Sequence, residues 1–175
     1  MTELRLEARD SAVVMAVFAR VMLVIWRGAP TAGRFQMFSE LTERMVREFP
    51  DGFYQLQIIE AQSPPPASDE RKASAHLLER MKGHAKGIAF VIEGDGPRVA
   101  IVRTILRGMS MLSRGGVPKY FFAHVEEAVR WLGPVLDPSV APSAQLLNAL
   151  TVMRGSFLEL EAPPTSRTPS ELRPG

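Results

Sequence analysis

Residues 53–81 constrain the fold of this chain more than any other stretch. They read FYQLQIIEAQSPPPASDERKASAHLLERM, an apolar run of strand-forming residues followed by three consecutive prolines and then by a pattern with helical spacing. This pattern predicts a buried strand, a stiff loop and an α-helix over about residues 68–81. A strand that leads through a loop into a helix is the repeating unit of α/β folds with parallel strands.

The segments on both sides repeat this order of strand and helix. Residues 11–27 are too apolar and too rich in valine for a solvent-facing helix, and they predict two adjacent strands with a turn near Ala19 and Arg20. The other predicted elements are helices over residues 32–49, 97–112, 125–136 and 143–153, and strands over 87–93 and 119–123. The sequence therefore predicts an α/β fold with a mixed sheet, made of an N-terminal hairpin, three strand-helix units and an extra C-terminal helix.

The length of 175 residues fits one main domain with additional segments. We expect this domain over residues 11–136, an N-terminal segment over 1–10 that begins with a short strand or is untethered, and a linker and additional helix over 137–161. Residues 162–175 contain four prolines and no aromatic residue. They predict a disordered tail, because they bury too little apolar surface to offset the entropy of ordering.

Composition excludes several classes of site. The chain has no cysteine, so disulfides, thiolate metal sites and a cysteine nucleophile are excluded. Its start lacks the basic region and apolar run of a secretory signal, and its most apolar window, residues 12–26, is shorter than the roughly 20 residues that span a bilayer. We therefore expect a cytoplasmic protein without a transmembrane segment. The net charge of +2 does not favour a nucleic-acid partner.

Four segments carry a resemblance to a known family: VMLVIWRG at 21–28, QLQIIE at 55–60, IAFVIE at 88–93 and YFFAHVEEAVRWL at 120–132. Together with the order of elements they resemble the STAS domain, the fold of bacterial anti-sigma-factor antagonists and of the cytoplasmic part of sulfate transporters, and its SpoIIAA-like relatives. The last segment matches best, because an aromatic strand, a short turn, paired glutamates and Ala-x-x-Trp-Leu recur together in SpoIIAA-like sequences. The resemblance covers about residues 11–136 and implies a bacterial regulatory or protein-interaction module, not an enzyme.

The chain departs from this family at the phosphorylation site. STAS switches carry a phosphorylatable Ser or Thr in an Asp-Ser-Ser-Gly type motif at the start of the helix that follows the third strand. Here the glycine and the acid-serine pair are missing, and Ser68 is the nearest equivalent. Asp69 and Glu70 would repel an added phosphate, so we predict that Ser68 caps the helix. A phosphorylation-regulated anti-sigma-factor antagonist, modified at Ser68, is an alternative.

The proline loop and the first turn of its helix form the predicted docking surface for a protein partner. Proline-rich loops are stiff and lose little entropy on binding. The predicted partner-binding residues are Ser63, Pro64, Pro65, Pro66, Ser68, Asp69, Arg71 and Lys72. The alternative is a small-molecule or lipid-binding domain, which needs a cavity between the sheet and a helix.

Several polar residues are expected near the carboxyl ends of the parallel strands, where open α/β folds collect ligands. Glu60, Glu93, Asp95 and His124 could bind a hard metal or share acid-base work, but no motif brings them together. We therefore predict no catalytic residue, no metal and no cofactor, and interpret these residues as turn formers and solvated charges.

Two other features are open to more than one interpretation. Gly94, Gly96 and Arg98 resemble an anion-binding turn, but Asp95 adds negative charge and the remaining P-loop and dinucleotide residues are missing, so a plain turn is favoured. The apolar residues within 143–154 are expected either to pack on the domain or to join two copies into a homo-oligomer.

Overall fold

The computed structural model describes residues 3–112, 116–136 and 142–161. Over these residues, strands and helices alternate along most of the chain. The strands are β1 (Leu4–Arg9), β2 (Val13–Phe18), β3 (Val21–Trp26), β4 (Phe53–Ile59), β5 (Ala85–Ile92) and β6 (Lys119–Phe122). The helices are α1 (Ala32–Glu48), α2 (Ser68–Met81), α3 (Pro97–Leu112), α4 (Val125–Leu132) and α5 (Pro142–Glu161).

The six strands form one sheet in the order β1-β2-β3-β4-β5-β6. Neighbours are antiparallel from β1 to β3 and parallel from β3 to β6. The predicted hairpin is β2 and β3, and Ala19 adopts a positive φ of 53° in its tight turn. The predicted mixed α/β sheet is confirmed, and β1 joins it as an edge strand beside β2.

Helices cover both faces of the sheet. Parallel crossovers are right-handed, so strands placed side by side in chain order put α1, α2 and α3 on the same face. The first core lies between these helices and the sheet, and it includes Met15, Trp26, Phe38, Phe53 and Met81. The second core lies on the other face, under α4 and α5. Because β2 and β3 are buried on both faces, their sequences are continuous apolar runs.

The C-terminal helix α5 is longer than predicted. It runs from Pro142 to Glu161, whereas the apolar spacing predicted an end near residue 153. Leu146, Leu150, Met153 and Phe157 are buried in the second core of the single chain. Most of the apolar residues on which the predicted homo-oligomer depends are therefore used inside the chain, and the homo-oligomer stays a prediction. The predicted tail, residues 162–175, lies outside the described residues.

Asp10 joins the N-terminal strands to α1. Its Oδ1 accepts hydrogen bonds from the amides of Ala12 (2.7 Å) and Val13 (2.9 Å), and its Oδ2 accepts one from Arg34 Nε (2.7 Å). Burial by itself would raise the pKa of Asp10, but the hydrogen bonds from Arg34 and the two amides outweigh it and hold the pKa below its usual value. The carboxylate is therefore the form that stabilises this junction.

We expect Asp10→Asn to lower the free energy of unfolding at pH 7 by about 1 kcal/mol, because a hydrogen bond to a charged group is weakened. Since the pKa of Asp10 is depressed in the folded state, its stabilisation is present above about pH 4 and is lost as the pH falls through the folded-state pKa. The difference between wild type and Asp10→Asn should therefore shrink on acidification. Urea unfolding between pH 7 and pH 2.5 measures it. The control is Asp51→Asn at an exposed turn position, and a difference that stays constant with pH would contradict the assignment.

Candidate functional site

The proline loop closes one side of an apolar pocket on the first face of the sheet. The pocket has a volume of about 100 Å³ and lies between the sheet, α1, α2, α3 and the loop. Its walls include Trp26, Phe35, Phe38, Ile59, Pro64, Pro66, Leu77, Leu78, Met81, Phe90 and Leu106, with Gln57, Ser63, Glu70 and Ser74 as the polar members. Three of the predicted docking residues, Ser63, Pro64 and Pro66, therefore line this pocket.

Ser63 fixes the position of this loop. Its amide donates to the carbonyl of Glu60 (2.9 Å), and its hydroxyl donates to the carbonyl of Gly28 (3.1 Å). Ser63 is only 3% exposed, whereas the three prolines after it are half-buried. Ser63 thus attaches the loop to the segment between β3 and α1, and Pro64 and Pro66 form an accessible part of the pocket wall.

The first turn of α2 continues this surface. The helix begins at Ser68, and its N-cap residue is Ala67, with no hydrogen bond from a side-chain cap. The prediction that Ser68 caps the helix is therefore wrong, because Ser68 already lies inside the first turn, where its side chain is exposed. Asp69 and Lys72 are exposed and approach to 3.7 Å.

Arg71 ties the loop to the helix that follows it. Its Nη1 donates to the carbonyl of Pro66 at 3.1 Å, and its side chain is half-buried. Four of the predicted docking residues lie in the first turns of α2 and are exposed or half-buried, so they contribute to the accessible surface around the pocket. They are Ser68, Asp69, Arg71 and Lys72.

Glu70 brings a carboxyl group with one buried, unpartnered oxygen into this pocket. Its Oε2 is buried, and no hydrogen bond to it is found among the described residues. By contrast, Gln57 is satisfied, since its Oε1 accepts from Trp26 Nε1 (3.3 Å) and its Nε2 donates to Gln55 Oε1 (3.1 Å). Among the described residues that line the pocket, Glu70 is the only ionisable one.

The carboxylates Glu60 and Glu93 form an ion-pair network with arginines at the carboxyl edge of the sheet. Glu60 is 6% exposed and accepts hydrogen bonds from Arg27 Nε (3.0 Å) and Gln62 Nε2 (2.7 Å). Arg154 of α5 lies between the two acids, with Nη1 3.6 Å from Glu60 Oε1 and Nη2 2.6 Å from Glu93 Oε1. The network therefore attaches α5 to the ends of β4 and β5.

Asp95 and His124 lie in a second, polar cleft beyond the ends of β5 and β6. The cleft has a volume of about 830 Å³ and is also lined by Glu93, Gly94, Arg103 and Arg107. Of the three residues of the predicted anion site, Gly94 lines this cleft, and the anion site of Gly94, Gly96 and Arg98 stays a prediction. Positive φ values at Gly94 (83°) and Gly96 (100°) agree with a turn.

Neither a metal site nor a membrane span is found in the part of the chain that the structure describes. No group of three or more acidic or histidine side chains in these residues could hold a metal ion. No described helix combines the length and the apolar character needed to cross a bilayer.

Comparisons with family models, with curated proteins and with solved structures each gave no match to this chain. The resemblance to STAS domains therefore stays a prediction from the sequence segments and their order.

Sequence reasoning missed the pocket, although one signal for it was present. Residues 70, 74, 77, 78 and 81 share one face of α2, and this face is the buried one. A glutamate and a serine on the stripe that carries Leu77 and Met81 indicate a polar group facing the interior. The other walls come from α1, α3 and three strands, and no local pattern shows that they meet.

Proposed function

We propose that this chain is a non-enzymatic regulatory binding module of STAS-like type that docks a protein partner at the proline loop. In this proposal a large apolar side chain of the partner enters the pocket beneath the loop. The observation that supports it is the apolar pocket itself, which opens beside the accessible prolines and the exposed first turn of α2.

The size of the pocket favours a side chain over a complete small molecule. Sites for drug-sized ligands occupy roughly 300–1,000 Å³, whereas an apolar cavity of about 150 Å³ holds one benzene molecule. At about 100 Å³, the pocket is smaller than that cavity and matches a single leucine-sized side chain. Anchors of this kind, inserted into a pocket and surrounded by polar contacts, carry much of the energy of protein interfaces.

The surroundings of the pocket suit such an interface. Pro64, Pro65 and Pro66 restrict the backbone, so little entropy is lost when a partner packs on them. Ser68, Asp69 and Lys72 provide a polar rim next to the apolar centre, which is the usual arrangement in protein interfaces. We also propose that the chain has no enzyme activity. The pairing of Glu60 and Glu93 with arginines supports this part of the proposal.

A small-molecule-binding domain is the second candidate, and the polar cleft favours it. The cleft volume of about 830 Å³ lies within the range of small-molecule sites, and its position at the ends of β5 and β6 is where α/β folds bind ligands. Native mass spectrometry of the purified chain tests this candidate, since a retained ligand adds a defined mass.

Filling the pocket should prevent partner docking. We expect Ser74→Phe to weaken, by at least tenfold, the binding of peptides selected from a random display library on the wild-type chain, because burial of one apolar side chain contributes about 1.5–3 kcal/mol. Ser74 lies on α2 and lines the pocket, so the added ring occupies the place of the anchor. Titration of the selected peptides measures the effect.

The matched control is Ala75→Phe, which adds the same ring one residue further along α2 at an exposed position. It should leave peptide binding unchanged. Thermal unfolding of both variants verifies that they fold, and a filled cavity should keep or raise the stability of Ser74→Phe. Undiminished binding to a folded Ser74→Phe would refute docking in the pocket.

A further inference from the structure

We infer that the segment of the partner that docks here carries a cation: a lysine or arginine next to the large apolar residue that fills the pocket, with its charged group paired to Glu70. The inference rests on the proposed docking function and adds the chemistry of the partner. It identifies Glu70 as the residue that determines specificity.

The observation behind this inference is the unpartnered oxygen of Glu70, Oε2. A buried polar atom without a hydrogen bond is costly, and few persist in native proteins without a reason. Oε2 of Glu70 is such an atom within the described chain, and it belongs to a side chain that lines the pocket. A donor brought by a partner would remove this cost only in the complex.

Three of the surrounding polar groups donate their hydrogen bonds elsewhere, and Ser74, one turn along the same face, forms no hydrogen bond to Glu70 Oε2. The hydroxyl of Ser63 donates to Gly28, the amide group of Gln57 donates to Gln55, and Arg71 donates to Pro66. Lys72 is exposed and lies beside Asp69. The site therefore combines an apolar pocket with one carboxyl group whose buried oxygen has no internal partner among the described residues.

The position of Glu70 on α2 defines the arrangement of the two groups in the partner. Glu70 lies in the first turn of the helix, one turn before Ser74, while Leu77 and Met81 lie two and three turns further along the same face. When an apolar side chain of the partner packs against Leu77, a neighbouring residue of the partner therefore lies beside the carboxyl group of Glu70. A charged donor is favoured over a neutral one, since charge-assisted hydrogen bonds are shorter and stronger.

Selection from a random peptide library, followed by titration of defined peptides, tests this inference on the full chain. Selected peptides should contain a large apolar residue with lysine or arginine within about two positions. Changing that lysine to glutamine should weaken binding to the wild type by about tenfold or more, as expected for a lost charged hydrogen bond. With Glu70→Gln, the same change in the peptide should have little effect. Glu79→Gln, at an exposed position of the same helix, is the control and should behave as wild type.

The outcomes separate the inference from the proposed function. Suppose the selected peptides contain an apolar anchor and bind Ser74→Phe weakly, but show no preference for lysine or arginine. Docking in the pocket would then be supported, and the role of Glu70 would be overturned. A basic preference that survives in Glu70→Gln would also overturn it, because the cation would then pair elsewhere, for example with Asp69. Selection without an apolar anchor, or no selection at all, would overturn both proposals.

Discussion

Replacing Phe157 with alanine is expected to lower the free energy of unfolding by about 3–5 kcal/mol, the usual cost of removing a fully buried aromatic side chain. Phe157 belongs to α5, is 0% exposed and packs in the second core. Its ring also lies 3.9 Å from the guanidinium carbon of Arg27, so the change removes a cation-π contact as well. Urea unfolding followed by circular dichroism measures the change.

Val152→Ala is the matched control, because Val152 lies on the same helix and is 49% exposed. Its effect should stay within about 0.5 kcal/mol. Similar small effects for both variants would mean that α5 does not stabilise the sheet, contrary to the packing of the second core. The unfolding midpoint of wild type should also be independent of protein concentration if α5 packs on its own chain.

Replacing Glu60 with alanine is expected to lower the free energy of unfolding by about 3 kcal/mol, near the lower end of the range for a broken buried ion pair. The variant leaves Arg27 and Arg154 at the carboxyl edge without the carboxylate between them. The lower end applies because the side chains of these arginines are 24% and 38% exposed, so water partly solvates them.

Asp95→Ala provides the comparison, since Asp95 follows β5 at the same edge of the sheet but is exposed. It should change the stability by no more than about 0.5 kcal/mol. The loss in Glu60→Ala should persist in 1 M salt, because buried pairs are screened much less than exposed ones. Equal stabilities of the two variants would show that the network contributes nothing.

The elements of the fold could be predicted from the sequence because each one carries a local pattern. Continuous apolar runs with β-branched residues predicted β2, β3 and β5, and helical spacing predicted α1, α2 and α3. The end of α5 was placed too early, because the helix continues through Gly155 and buries Phe157 in the second core. The cap at Ser68 was wrong by one residue, which is a common uncertainty at helix ends.

The candidate site was predicted only in part. The position of the proline loop and of the first turn of α2 followed from the sequence, but the pocket between them and the sheet did not. Likewise, Glu60 and Glu93 were placed at the carboxyl edge, whereas their shared partner Arg154 is 94 and 61 residues away along the chain. Contacts between residues this far apart in the chain do not produce a local sequence pattern.

The sequence by itself thus determined the class of fold, the strand-loop-helix unit of residues 53–81 and the stiffness of its loop, because backbone propensity and apolar periodicity act between near neighbours. Only the tertiary structure determined how this unit packs against the rest of the chain. Packing of α1, α2 and α3 against the sheet made the loop the wall of an apolar pocket, and it enclosed Glu70 Oε2 without a partner. Both results depend on residues brought together from distant parts of the chain, and only folding specifies those distances.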